Sequence, residues 1–136
     1  MNEYVKQAQD FLKRCNATMQ ITYTGIDTNK DWGGKELRNT YSVTITTPKG
    51  SMKIKFWDSI YNTEHAIKPT EYDILACLEK YDVGTIDDFV SEFGFEVHEW
   101  ADVKRIENTY NAVVKEYQDL CRCFTPEQIE AMQEIQ

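Results

Sequence analysis

The apolar pattern predicts an α+β fold: an N-terminal helix, a three-stranded antiparallel sheet, then three to four helices including one long helix near 100–124. Three observations carry this. The apolar period is helical at the start, changes to two in the middle and returns to helical in the second half. The period-two stretches are bounded by turn residues, so one face of each is buried and the other wet. After residue 68, proline, threonine and glycine stand where helices start and stop. At 136 residues the chain is expected to form one domain, with 1–57 giving a helix and the sheet and 69–136 the helical part.

Taken in order, Tyr4, Val5, Ala8, Phe11, Leu12 and Cys15 recur at helical spacing and predict a helix over 3–15. After Asn16-Ala17, Met19, Ile21 and Tyr23 alternate with polar residues; Tyr41, Val43, Ile45 and then Met52, Ile54, Phe56 do the same. Thr47-Pro48-Lys49-Gly50 reads as the hairpin turn between the last two. The opposite face would carry Thr22, Ser42, Thr44, Thr46, Lys53, Lys55 and Trp57. Residues 25–37 read as a polar loop. It holds Asp27-x-Asn29-x-Asp31, but an EF-hand needs glycine at loop position six and glutamate at twelve, where this chain has Trp32 and Arg38. A solvated turn is the better reading. Residues 58–68 read as a short helix or a connector.

The stretch from Lys68 to Gly94 reads as two short helices joined by a glycine turn. Thr70 and Thr85 are the N-caps, and Gly84 and Gly94 the stops. Ile74, Leu75, Leu78 and Tyr81 on the first, and Ile86, Phe89, Val90 and Phe93 on the second, would bury a shared seam. Next, Val103, Ile106, Tyr110, Val113, Tyr117, Leu120 and Phe124 alternate spacings of three and four. A helix of about 24 residues spans ~36 Å, and its seam packs on the sheet or the acidic hairpin, or mediates a homodimer. Thr125-Pro126-Glu127-Gln128 is a capping box opening a final helix through Ile129 and Met132.

Charge is divided unevenly. Residues 1–56 hold nine bases and five acids, a balance of +4, whereas 57–136 hold six bases and eighteen acids, a balance of −12. Between Glu71 and Asp102 ten acids face one base, Lys80. Such a stretch repels free nucleic acid and is attracted to a basic protein surface. No run approaches the 18 apolar residues of a membrane span and the start does not read as a signal peptide, so a cytoplasmic protein is expected. Cys15, Cys77, Cys121 and Cys123 fall in predicted helices among core-type residues and are expected to be reduced.

Motifs for chemistry are missing. His98-Glu99 lacks the second histidine of a zinc helix, His65 has no cysteine or histidine neighbour at ligand spacing, and Cys121 and Cys123 point apart on a helix. There is no nucleophile elbow and no phosphate-cradling glycine loop. Adjacent acids such as Asp87 and Asp88 diverge on a helix. The expectation is a protein without catalysis, cofactor or metal.

The opening MNEYVKQAQDFL, the stretch PTEYDILACLEKYDVGTIDDFVSEFG and the closing FTPEQIEAMQEIQ resemble small proteins of phages and mobile elements of clostridia and other gut Firmicutes. That set is similar to anti-CRISPR proteins that inhibit Cas9. The resemblance covers the first twelve residues and about the last seventy, and implies a stoichiometric inhibitor acting by binding. Joined to the charge pattern, it points to Asp82, Asp87, Asp88, Glu92 and Glu96 as the partner-binding residues, and to a basic nucleic-acid-handling protein, Cas9 first, as the partner. The order helix, three strands, helix also resembles the double-stranded-RNA-binding domain. Direct nucleic-acid binding stays open on that ground, although Pro69-Thr70-Glu71-Tyr72-Asp73 stands where that domain carries bases.

Overall fold

The computed structural model describes residues 2–28, 37–59, 68–94 and 98–135. Strands β1 (Thr18–Thr28), β2 (Leu37–Thr47) and β3 (Gly50–Ser59) form an antiparallel sheet in the order β1-β2-β3. Register turns the period-two pattern into three apolar rows on one face: Met19–Ile45–Met52, Ile21–Val43–Ile54 and Tyr23–Tyr41–Phe56. Pairing of Thr47 with Gly50 leaves Pro48-Lys49 as a two-residue turn. The other face carries Gln20–Thr44–Lys53 and Thr22–Ser42–Lys55, of which Thr44 is half-buried and the rest are exposed.

The expected polar loop at 25–37 is strand at both its ends, and 29–36 lie outside the described residues. β1 runs on to Thr28 and β2 begins at Leu37, with the register shifting between Tyr23 and Gly25. This is a β-bulge, and Gly25 at φ +117° supplies a backbone angle that a side chain would oppose. The Thr40 hydroxyl donates to the Gly25 carbonyl at 2.9 Å, which leaves the Thr24 hydroxyl to donate to Thr40 at 2.8 Å. The shift sets Asp27 opposite Arg38. Its carboxylate lies 3.8 Å from Arg38 on the neighbouring strand and 3.7 Å from Lys55. Asn29 and Asp31 lie outside the described residues, as do Trp32, His65 and most of the 58–68 connector.

Helix α1 (Glu3–Arg14) is capped by the Asn2 side chain, which accepts from the Tyr4 amide at 2.7 Å. It buries Ala8, Phe11 and Leu12, with Cys15 following. Helices α2 (Glu71–Cys77), α3 (Ile86–Phe93), α4 (Trp100–Cys123) and α5 (Pro126–Gln133) complete the α+β order. The core joins the apolar sheet face to α1, α2, α4 and α5 through Val43, Ile45, Met52, Phe11, Leu75, Leu120, Phe124 and Met132. Phe11 and Phe124 stack with ring centroids 5.9 Å apart.

The 68–94 stretch departs from its reading. α2 ends at Cys77, with Leu78 already extended, so Gly84 does not stop it. The Lys80 ammonium donates to the carbonyls of Ala76 and Leu78 at 3.3 and 3.2 Å, and a carboxylate of Glu116 on α4 accepts the Glu79 amide at 3.0 Å. These side chains satisfy the groups that another helical turn would have used. Tyr81 therefore leaves the expected seam and is 67% exposed. The two short helices have different neighbours: α2 packs on α1 and α3 on α4. Phe89 meets Tyr110 at 5.6 Å between centroids, and the Tyr110 hydroxyl donates to the Gly84 carbonyl at 2.6 Å. The side chain of Phe93 lies outside what is described.

Candidate functional site

The acid-rich stretch is built on two capping boxes. In α3 the Thr85 hydroxyl accepts the Asp88 amide at 3.2 Å while the Asp88 carboxylate accepts the Thr85 amide at 3.1 Å. Thr70 and Asp73 repeat this in α2 at 3.3 and 2.8 Å. Each box satisfies two helix-start amides, and an acid three residues after the cap also faces the positive end of the helix. Asp102 does a related task for α4: its carboxylate accepts from the amides of His98 and Glu99 at 3.0 and 3.2 Å and from Arg105 at 2.9 Å. The His98 amide first, then Glu99 and Arg105, hold its carboxyl below the ordinary value.

The predicted partner-binding residues thereby divide. Asp82 is exposed and accepts the Gly84 amide at 2.8 Å, fixing the turn where Gly84 takes φ +72°. Asp88 is exposed but engaged in its box. Asp87 is exposed in the first turn of α3, where the helix end favours an acid. Glu92 is exposed in the last turn, which holds no base, so the helix disfavours it. Glu96 lies outside the described residues. Thr70-x-x-Asp73 and Thr85-x-x-Asp88 are readable in the sequence, and they account for acids that the charge count alone treats as surplus.

Among the described residues, three of the larger hollows lie near charged groups. One of about 790 Å³ runs between α1 and α5, past Asp10, Lys13, Arg14 and Glu134. A second, of about 670 Å³, follows α4 past Arg105, Thr109 and Glu116. The third, about 380 Å³, is the one that Asp82 borders, with Tyr81, Tyr117 and Glu130. Glu116 is half-buried, and burial pushes its carboxyl up despite the Glu79 amide it accepts. Burial pushes the neighbouring Lys80 down. Among the described residues no group of three or more His, Cys, Asp or Glu is placed to hold a metal, and no helix is long and apolar enough to cross a membrane.

The long-helix seam is partly used inside the chain. Ile106 and Leu120 are buried, as is Phe124 at its end, and α4 packs on β3 and α3. Trp100, 78% exposed, and the half-buried Val103, Tyr110, Val113 and Tyr117 keep apolar surface on that helix accessible to another copy. Cys15 and Cys123 are buried, but Cys77 and Cys121 are exposed rather than core residues; all four thiols are free. The helix after β3 starts with Glu71 and Asp73, the latter engaged in its cap, so a duplex would meet acid there. Sequence reading overlooked Arg38, whose guanidinium lies over the Trp57 ring at 5.0 Å. The alternation that put Trp57 on the open face was the available signal, because Arg38 pairs with Ser59, two residues further along the same strand.

No family model, curated protein or solved structure matches this chain.

Proposed function

We propose that this protein acts by binding, as a stoichiometric inhibitor whose acidic segment occupies a basic groove on a nucleic-acid-handling protein. Cas9 is the first candidate because of the sequence resemblance. Asp82, Asp87, Asp88, Glu92 and Glu96 form the contact, with fixed carboxylates standing in for phosphates. The observation that supports this most is Glu92. It is exposed at the unfavourable end of α3 and has Asp88 one turn before it, so fold stability gives no reason for its charge. The test is Cas9 cleavage of a target duplex in the presence of the parent or of an Asp87→Asn, Glu92→Gln variant, at physiological salt. The parent is expected to inhibit and the folded variant to inhibit less, with the difference shrinking as salt is raised. Equal inhibition by both would reject the acidic contact, and no inhibition by the parent would reject Cas9 as partner.

A further inference from the structure

The open sheet face differs in chemistry from the helical side. Its rows Gln20–Thr44–Lys53 and Thr22–Ser42–Lys55 carry amide, hydroxyl and ammonium groups, and Asp27 is the one acid on it among the described residues. That is notable in a chain with 23 acids against 15 bases. Lys53 and Lys55 are both exposed and, two apart on one strand, point the same way about 6.8 Å apart. This is on the scale of successive phosphates in an extended single strand. Beside them Trp57 is 44% exposed, with the Arg38 guanidinium over its ring. Asp27 meets Arg38 and Lys55 at 3.8 and 3.7 Å, well beyond the ~2.7–2.9 Å of a strong charged hydrogen bond, so an incoming phosphate competes with it readily.

We propose that this face binds single-stranded nucleic acid without sequence preference, Lys53 and Lys55 meeting the backbone and Trp57 stacking on a base. An exposed ring beside a cationic track is how proteins hold unpaired strands, because every base offers a flat face. A duplex keeps its bases stacked inside and gives Trp57 nothing to stack on. The proposal is independent of the acidic helix, which lies on other elements and serves a different partner.

The test is fluorescence anisotropy of a labelled oligothymidylate of roughly 20 nucleotides, longer than the site of one small sheet, titrated with the full chain. Saturable binding is expected. Two phosphate contacts predict a salt slope near −1.4, so affinity falls about sevenfold between about 50 and 200 mM salt. Lys53→Gln with Lys55→Gln, both at exposed positions, should remove most of that slope. Trp57→Ala should weaken binding about 5- to 150-fold, as loss of one stacked base does. The salt slope is read on the parent protein, so the outcome does not hang on whether Trp57→Ala folds. No saturation at about 100 µM, the weak end of non-specific association, would overturn the proposal. So would tighter binding of a duplex of equal length, or unchanged binding by the folded lysine variant.

Discussion

The hydroxyl of Thr47, the last residue of β2, donates to the carbonyl oxygen of Cys123, the last residue of α4, at 2.6 Å across 76 residues of sequence. Around it the Lys49 ammonium donates to the carbonyls of Cys121 and Phe124 at 3.4 and 3.3 Å, and Arg122 donates to the Ser51 carbonyl at 2.6 Å. The β2–β3 turn thus satisfies carbonyls that the end of α4 leaves without helical partners, and Lys49 adds a cation at the negative end. Thr47 is buried, so Thr47→Val strands both the Cys123 carbonyl and the Lys49 amide that the hydroxyl accepts at 3.1 Å. The expected loss is about 1–3 kcal/mol, read from the urea midpoint, with Thr47→Ser retaining most of the stability.

That junction marks the limit of what sequence showed. The strands were legible because each side chain's face is fixed by a period of two, and Met19, Ile45 and Met52 needed only register to meet. The extension of β1 and β2 past Gly25 was not, because a bulge inserts one residue and breaks the alternation while polar residues such as Asp27 hide the strand. Helix starts at Thr70, Thr85 and Thr125 were legible from side chains that cap locally. The end of α2 was not, since it depends on Glu116, distant in sequence, taking the Glu79 amide. Of the candidate site, the acids' exposure was anticipated, but not that Asp82 and Asp88 would be engaged in turn and cap.

Stability should fall in acid through Asp102 and Asp119. Burial works against ionisation of Asp119, but Lys115 at 2.9 Å and Arg122 at 2.6 Å outweigh it, and its carboxyl, like that of Asp102, sits below the ordinary value. A depressed folded pKa contributes stability that is complete above the unfolded value, about 3.9, and lost as pH falls through the folded one. Thermal melts should therefore decline below about pH 4. Asp119→Asn should melt lower than the parent at neutral pH and show a smaller further decline.

Glu116 has the opposite sign. Its folded pKa is raised, so its contribution is full below the unfolded value, near 4.3, and lost as pH rises through the folded one. Glu116→Gln keeps an oxygen for the Glu79 amide and removes a charge that burial opposes. The variant should melt higher than the parent at neutral pH, and the two curves should converge on mild acidification; a lower melting point at neutral pH would contradict the assignment.

Tyr110 docks α3 through its ring on Phe89 and its hydroxyl on the Gly84 carbonyl. Tyr110→Phe should cost about 0.5–1.5 kcal/mol, the net worth of one hydrogen bond, and speed amide exchange in α3 while leaving the core protected. Tyr110→Glu should release α3 altogether, so it does not report on self-association. Trp100→Ala, at the exposed start of α4, is the informative variant for that question. Light scattering should give a lower mass for it than for the parent if copies meet through this end of the helix, and equal masses otherwise.

Glu92 allows fold and function to be separated by sign. Asp88 and Asp82 hold α3 and its entry turn; Asp88→Asn keeps an oxygen for the Thr85 amide but removes the charge at the positive end of α3, so it should cost about 0.3–1 kcal/mol, and any accompanying loss of binding is ambiguous. At the far end of the same helix, Glu92 faces the negative pole, which opposes its charge by about 0.3–1 kcal/mol, and has Asp88 four residues before it, which opposes it by about 0.2–0.5 kcal/mol. Glu92→Gln should therefore leave α3 equally stable or up to about 1 kcal/mol more stable, measured by amide exchange within the helix. If Glu92 contacts a basic partner, the same variant must bind that partner more weakly, with a shallower dependence on salt. A variant that is both more stable and a poorer inhibitor identifies a charge kept for its partner. One that is more stable and inhibits as well as the parent returns the acidic helix to ordinary surface.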